Sequence, residues 1–226
     1  MTQFLTSTLA DGPMGRTQTL TEEQRERRLM FSRSQNNETS LPVMLTSAHG
    51  SEIAIVTTED AGAIIEDIDG LMTGDARLPL VVTHQDCVPV FVTDDHNVVA
   101  MLHAGWRGVV AGILPNAVVL AAEEFGVPAN RLRVHLGPGI RPCHFAVGQD
   151  VAEQFSSLVV TEHDGVFTVD LHAALRLQAE NAGIPSSAIT VDERCTFCTQ
   201  NENRHVFPSW RRDGAADANM ISVAML

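Results

Sequence analysis

The chain has 226 residues, 44% of them hydrophobic, enough to bury the core of one large domain. Its 28 acidic residues against 15 basic ones give a net charge of −13, which disfavours non-specific nucleic-acid binding, because phosphate contacts need a basic surface. All 15 basic residues are arginine and tyrosine is absent, so lysine Schiff bases, a pyridoxal-phosphate anchor and a P-loop lysine are excluded.

No apolar run approaches the ~18–20 residues that span a bilayer. The start, MTQFLTSTLADGPMGR, lacks the basic-then-apolar pattern of a secretory signal. Four cysteines are too few for a disulfide scaffold in a chain this long, and a reducing cytoplasm is the expected compartment. Residues 1–40 are polar and poorly periodic. Within them TLTEEQRERRLMF (19–31) reads as a helix, with Thr21 as N-cap and Glu22 and Glu23 in its first turn. SRSQNNETS (32–40) reads as a loop.

From residue 41 the chain turns apolar. PVMLT (42–46) reads as a buried strand running into Ala48-His49-Gly50, and EIAIVT (52–57) as a second. DIDGLMTG (67–74) is turn-like. LPLVVTHQDC (78–87), PVFVTDD (89–95) and NVVAMLHAG (97–105) are three short strands. VVAGILPNAVVLAAEEFG (109–126) has helical spacing and stops at Gly126, and Pro115 predicts either a kink or a late start. RLRVHLGPGI (131–140) is strand then loop, VGQDVAEQFSSL (147–158) a short helix and GVFTVDL (165–171) a strand. LHAALRLQAENAG (171–183) is an amphipathic helix, while AITVDE (188–193) and MISVAML (220–226) are strands. Helices and strands mix without strict alternation. That predicts an α+β fold, a single domain of mixed β-sheets rather than a doubly wound parallel sheet.

His49, Cys87 and His103 each fall at or near a strand end beside turn residues. Imidazole and thiolate are ligands for zinc and copper, and three protein ligands leave a fourth tetrahedral position for water or substrate. The same residue types also serve as a buried small hydrophobe and hydrogen-bonded structural histidines. After His103 comes Ala104-Gly105-Trp106-Arg107-Gly108, where the glycines allow close backbone approach and Arg107 can fork onto an oxyanion or pair with a carboxylate. LGPGIRPCHF (136–145) is a Gly/Pro loop that could bring Arg141 or His144 to the site, or simply build a turn. Cys195-Thr-Phe-Cys198 is a CxxC with no second pair nearby, read as two reduced thiols ahead of a redox or zinc half-site. FPSWRRDG (207–214) offers Arg211 and Arg212 as a charged loop or a second anion contact.

The run DCVPVFVTDDHNVVAMLHAGWRG resembles the multicopper polyphenol oxidase (laccase-domain) family, whose members are also described as purine nucleoside phosphorylases and peptidoglycan editing factors. AHG at 48–50, DGLMT at 69–73, LGPGIRPCHFAVG at 136–148, CTFC at 195–198 and PSWRRDG at 208–214 follow in family order. The resemblance runs from about residue 43 to the C-terminus. It leaves 1–40 as a poorly matched N-terminal segment and 41–226 as the catalytic domain. The resemblance implies mixed sheets with outer helices and a metal held by His49, Cys87 and His103, zinc ahead of copper. It further implies phosphorolysis of adenosine, inosine, guanosine or methylthioadenosine, plus adenosine deamination. Catalytic roles fall to Cys87, His103 and Arg107, and substrate binding to Arg107, Arg141 and Arg211, with purine nucleoside and phosphate as the ligands. Asp86 and His84 are candidate general acids from proximity alone. A copper-dependent phenol oxidase and a cysteine hydrolase acting on peptidoglycan precursors are the alternatives. Two departures stand out: Ser47 replaces a glutamine usual two positions before the first histidine, and DGAADANM replaces a usual Gly-Arg after the double arginine.

Overall fold

Alternating side-chain direction along the central strands decides the layering. β7 (Val88–Thr93) sends Val88, Val90 and Val92 to one side and Phe91 to the other. Its hairpin partner β8 (Val99–Ala104) does the same, with Ala100 and Leu102 opposite Val99 and Met101. Strands buried on both faces need cover on both. In this computed structural model, which describes residues 2–33, 40–214 and 218–226, that cover is a second sheet on one face and helices on the other.

The central sheet has six strands in the order β13-β9-β7-β8-β5-β3. It adds β3 (Ile53–Ile55), β5 (Gly70–Thr73), β9 (Arg133–Leu136) and β13 (Ile189–Val191) to the hairpin. The two outer pairs, β3 with β5 and β9 with β13, are parallel, and the inner pairs are antiparallel. The second sheet, in the order β1-β16-β6-β2-β4, is built from β1 (Gln3–Thr6), β2 (Val43–Leu45), β4 (Ile64–Ile65), β6 (Leu80–His84) and β16 (Met220–Met225). Val43, Leu45, Leu80, Val82 and Ala224 from this sheet meet Leu71, Phe91, Val99 and Met101 from the central one. The fold is α+β with mixed sheets and outer helices, as the sequence predicts. Two small sheets complete the strand set. One joins β10 (Ala146–Val147), β11 (Val160–His163) and β12 (Val166–Val169), and the other β14 (Gln200–Asn201) and β15 (Arg204–His205).

Outside the second sheet lies α1 (Glu22–Arg33). Thr21 caps it through a reciprocal pair: the Gln24 backbone N–H donates to Thr21 Oγ1 at 3.2 Å, and Thr21 N–H donates to Gln24 Oε1 at 3.0 Å. Outside the central sheet lie α2 (Trp106–Val110), α3 (Ile113–Phe125) and α5 (Leu171–Asn181), with the single turns α4 (Gln149–Ala152) and α6 (Trp210–Asp213) nearer the loops. The helix expected over 109–126 starts late. Gly112 at φ 80 ends α2 and begins α3, which puts Pro115 in the first turn, where its missing N–H costs nothing.

Three expectations are corrected. GLMT (70–73) is a fully buried strand, not a turn, because it pairs β8 on one edge and β3 on the other. The helix read across 147–158 is one turn. The polar N-terminal segment supplies β1 at the sheet edge. Residues 34–39 of the loop expected at 32–40, and 215–217 of the DGAADANM stretch, lie outside the described residues.

Candidate metal centre and cavity

β2, β6 and β8 end close together, and three soft ligands follow from that. His49 sits three residues beyond the Thr46 that trails β2, in a left-handed conformation (φ 59). Cys87 follows β6 after Asp86, also left-handed at φ 63. His103 is on β8 itself, 4% exposed. Their ligand atoms all lie within 4.8 Å of one another. The His49 and His103 rings meet edge to face at 5.1 Å.

The sequence reading missed the residue that orients this group. Asp69, fully buried just before β5, accepts His103 Nδ1–H at 2.8 Å and the Gly50 backbone N–H at 2.6 Å, and the Ser47 hydroxyl also donates to it. A proton held on Nδ1 turns the Nε2 lone pair of His103 toward the cluster, the carboxylate–histidine arrangement of metal sites. Ser47 Oγ also lies 2.8 Å from His103 Nδ1, so the residue flagged as a departure belongs to this same network.

Electrostatics pair a thiolate with an imidazolium, whose proton a bound metal would displace. Burial raises the Cys87 thiol, but the His103 charge and hydrogen bonds from His103 and His49 outweigh it and bring the pKa down to about 6. Burial alone would depress His103, yet the Cys87 thiolate and Asp69 lift it to about 10. Gly105 completes the cradle: a Cβ there would stand 3.1 Å from Cys87 Sγ and 3.3 Å from the His49 ring. Gly108 is equally constrained, since its Cβ would meet Gly50 O at 2.7 Å. The donor set and the space around it fit a tetrahedral ion with one open position.

That open side faces a cavity of about 510 Å³. Trp106, Phe145 and Trp210 supply apolar walls, and Arg16, Arg107 and Arg211 supply positive charge. Arg107 lies over the Trp106 ring at 4.3 Å and, among the described residues, has no carboxylate partner. Arg211 Nη1 donates to Ala146 O at 2.8 Å, which fixes its guanidinium near Phe145.

Arg16 was not foreseen. It rides on the strap 14–17, which Arg28 holds from α1. The Arg28 guanidinium, 1% exposed, donates to Met14 O (2.8 Å), Gly15 O (2.7 Å) and Thr17 Oγ1 (3.1 Å). Burial, with Arg25 nearby, draws its pKa down to about 9.

Of the other candidates, His84 and Asp86 line the cavity but are committed to structural bonds, while Arg141 and His144 lie outside it. Arg141 is outside the cavity lining, and its guanidinium pairs with Glu193 at 2.9 Å. Asp86 accepts from Thr196 Oγ1 (2.6 Å), Ser209 Oγ (3.1 Å) and Arg211 N (2.8 Å), so its carboxylate anchors loops. His84 is held at about 3, mainly by burial and then by the His103 charge, so it is a neutral spacer between Ser222 Oγ and Cys87 O. His144 lies with Cys143, Cys195 and Cys198, away from the cavity lining. No helix among the described residues is long and apolar enough to cross a membrane.

Residues 18–226 match the family described as multi-copper polyphenol oxidoreductase laccase. The chain is 33% identical over 196 residues to purine nucleoside phosphorylase YlmD of Geobacillus stearothermophilus, covering 80% of this chain and 70% of that one. It is 30% identical over 172 residues to adenosine deaminase RL5 of an unknown prokaryotic organism, covering 69% and 65%. The crystal structure of the Geobacillus YlmD superposes with a TM-score of 0.80 at 32% identity, over 89% of this chain and 78% of that one.

Proposed function

The chain belongs to the multi-copper polyphenol oxidoreductase laccase family, and from that premise we propose that it is a zinc-dependent purine nucleoside phosphorylase that also deaminates adenosine. The observation that carries this reading is the three-donor cluster of His49, Cys87 and His103 opening onto a cavity with both aromatic and arginine walls. Relatives named for phosphorolysis and for deamination support the choice of substrate class.

When bound at the three donors, zinc supplies Lewis acidity toward an oxygen nucleophile. The chain's own residues do the rest. Trp106, Phe145 and Trp210 offer faces on which a purine ring stacks and from which water is displaced. Arg107 and Arg211 hold the charge of phosphate. In phosphorolysis the C1′–N9 bond breaks and a phosphate oxygen bonds to C1′. The sugar passes through an oxocarbenium-like state that nearby anionic oxygens stabilise, and the leaving purine takes up a proton. In deamination a water oxygen adds to C6 and ammonia leaves. Asp69 holds the His103 proton on Nδ1, which would leave Nε2 free to hold the metal.

A second reading has one observation in its favour. Cys87, His103 and Asp69 also form a nucleophile–base–orienter sequence, as in cysteine hydrolases. His49 has no task in that arrangement, whereas it completes a metal set. Phenol oxidation by a multicopper cluster finds less support. The two groups of metal-binding residues among those described contain three histidines in all.

The test is to purify the protein, measure its zinc, and incubate it with inosine and phosphate. Phosphate-dependent release of ribose 1-phosphate and hypoxanthine, abolished by chelator and restored by zinc, is the expected result. Activity that survives chelation but disappears in Cys87→Ala would replace this reading with the hydrolase. Oxygen uptake with a phenol only after copper loading would replace it with the oxidase.

A further inference from the structure

We propose that Cys143, His144, Cys195 and Cys198 form a second zinc site, closed and structural, independent of the one at the cavity. The four ligand atoms lie within 4.8 Å of one another. A tetrahedral zinc with Zn–S bonds of about 2.3 Å sets its sulfurs about 3.8 Å apart, so a contraction of an ångström or less closes the set. Three thiolates and one imidazole are a complete complement, with no position left for substrate.

The fold brings these residues together by pairing two strands whose loops carry them. β9 and β13 are parallel neighbours, so the loops leaving them run side by side. Gly139 and Cys195 form a bridge, with Thr196 N–H donating to Gly139 O at 3.1 Å. Gly139 has no room for a side chain, because a Cβ would stand 2.9 Å from Val88 Cγ2 and 3.1 Å from Asp86 O. The first loop thus delivers Cys143-His144 against the CxxC of the second. The His144 ring is fixed by stacking on Phe197, with centroids 4.1 Å apart and planes at 15°. Its Nδ1 lies 3.1 Å from Cys143 Sγ.

The surroundings favour one thiolate, at Cys195, over the other two. Cys195 Sγ, on a residue 4% exposed, accepts the Arg141 backbone N–H at 3.4 Å. The backbone N–H groups of Phe197 and Cys198 also point to it, and together they lower its pKa against the effect of burial. Burial, and then the charge of Cys195, raise Cys143 to about 12, and Cys198 rises for the same two reasons. One thiolate is stabilised and the other two are suppressed by it. A divalent ion reverses that suppression and lets all three ionise. All four cysteines are free thiols, so nothing in the covalent structure competes. The consequence for the cavity is mechanical. The first loop carries Ile140 and Phe145 of the lining, and the second carries Thr196, whose hydroxyl holds Asp86.

The test counts metal in three forms of the full chain and reads a cobalt spectrum from one of them. Wild type is expected to carry two zinc equivalents and Cys87→Ala one. Cys143→Ser/Cys198→Ser, changed at two exposed positions, is expected to keep only the cavity equivalent, with Tm lower by about 10 °C. Cobalt-substituted Cys87→Ala is expected to show thiolate-to-cobalt charge-transfer absorption, which no other cysteine pair could produce. Should the double variant fail to fold, the cobalt spectrum of Cys87→Ala decides alone. A Cys87→Ala protein without metal, or a Cys195–Cys198 disulfide in non-reducing peptide maps of wild type, overturns the proposal. A wild type with a single equivalent, kept in Cys87→Ala and absent from the double variant, supports it and removes the metal from the proposed function.

Discussion

The two cysteine–histidine clusters share a neighbour, Asp86, which follows Gln85 into Cys87 on one side and accepts the Thr196 hydroxyl on the other. They are nevertheless built by different means. At His49, Cys87 and His103 the ligands stand at strand ends, and a buried carboxylate, Asp69, sets the orientation of the histidine. At Cys143, His144, Cys195 and Cys198 no carboxylate takes part, and backbone N–H groups and one aromatic face do the positioning. The first has three donors and a cavity before it, and the second has four donors and no lining role. The same two residue types therefore stand in an open arrangement where strands and a carboxylate fix them, and in a closed one where loops converge.

Substitution of Cys87 or His103 by alanine tests this contrast most severely. Phosphorolysis is expected to fall by about 10³-fold or more, with the thermal transition little changed, because the loss is of chemistry and not of loop closure. A profile of activity and Tm measured on the same samples checks it, and a large fall in Tm would mean that the open cluster is structural too. Asp69→Asn comes next. It keeps the shape but weakens the hold on the His103 proton, so zinc affinity at the cavity is expected to drop 10–100-fold, measured by competition with a chelator, while the Cys143 cluster keeps its metal.

Arg107→Ala is smaller again. A rise in KM for phosphate of about 10-fold with kcat nearly intact is expected if its guanidinium, lying over Trp106, meets the anion, and an unchanged KM would remove it from that role.

The smallest effect on turnover belongs to His172, beneath the Gly137–Arg141 loop that runs between the clusters. Its Nε2–H donates to Gly137 O at 3.0 Å, and its Nδ1 is buried without a partner. Burial, then Arg141, push its pKa down from 6.5 to about 4, against weaker raising effects of Asp170 and Asp192. The unfolded chain binds the proton first, so stability is full above pH 6.5 and declines as pH falls toward 4, by about 3 kcal/mol at pH 4. Urea midpoints of wild type and His172→Gln should diverge across that window and run parallel above it.

The three candidate donors at the cavity were visible as soft residues at strand ends beside glycine, and the resemblance, not the spacing, grouped them. Asp69 was not visible in that way. DIDG looks like a turn, and its carboxylate reaches His103 only because β5 pairs β8 with Gly70 opposite Leu102, a register that sequence does not display. The second cluster was hidden for the same reason. Cys143 and Cys195 are brought together by the parallel pairing of β9 and β13, and a CxxC read alone gives no hint of a partner so far away. Pro115 and Gly126 marked α3 well, since backbone restriction is local. Arg28 shows the reverse case: a charge in an otherwise solvent-like helix pattern turned out to be 1% exposed, satisfied entirely by carbonyls, a hydroxyl and a thioether.

Among the described residues the edge strand β1 has β16 as its one neighbour in the sheet, pairing Gln3 with Met225. During synthesis, then, residues 3–6 wait until residues 222–225 are made before their ladder can form. The strap bearing Arg16 follows β1 directly, and Asn219 of the cavity wall precedes β16. Closing so long a loop is entropically slow, and pairings of this separation come late in folding. The mouth of the cavity accordingly depends on the pairing of segments far apart in the sequence.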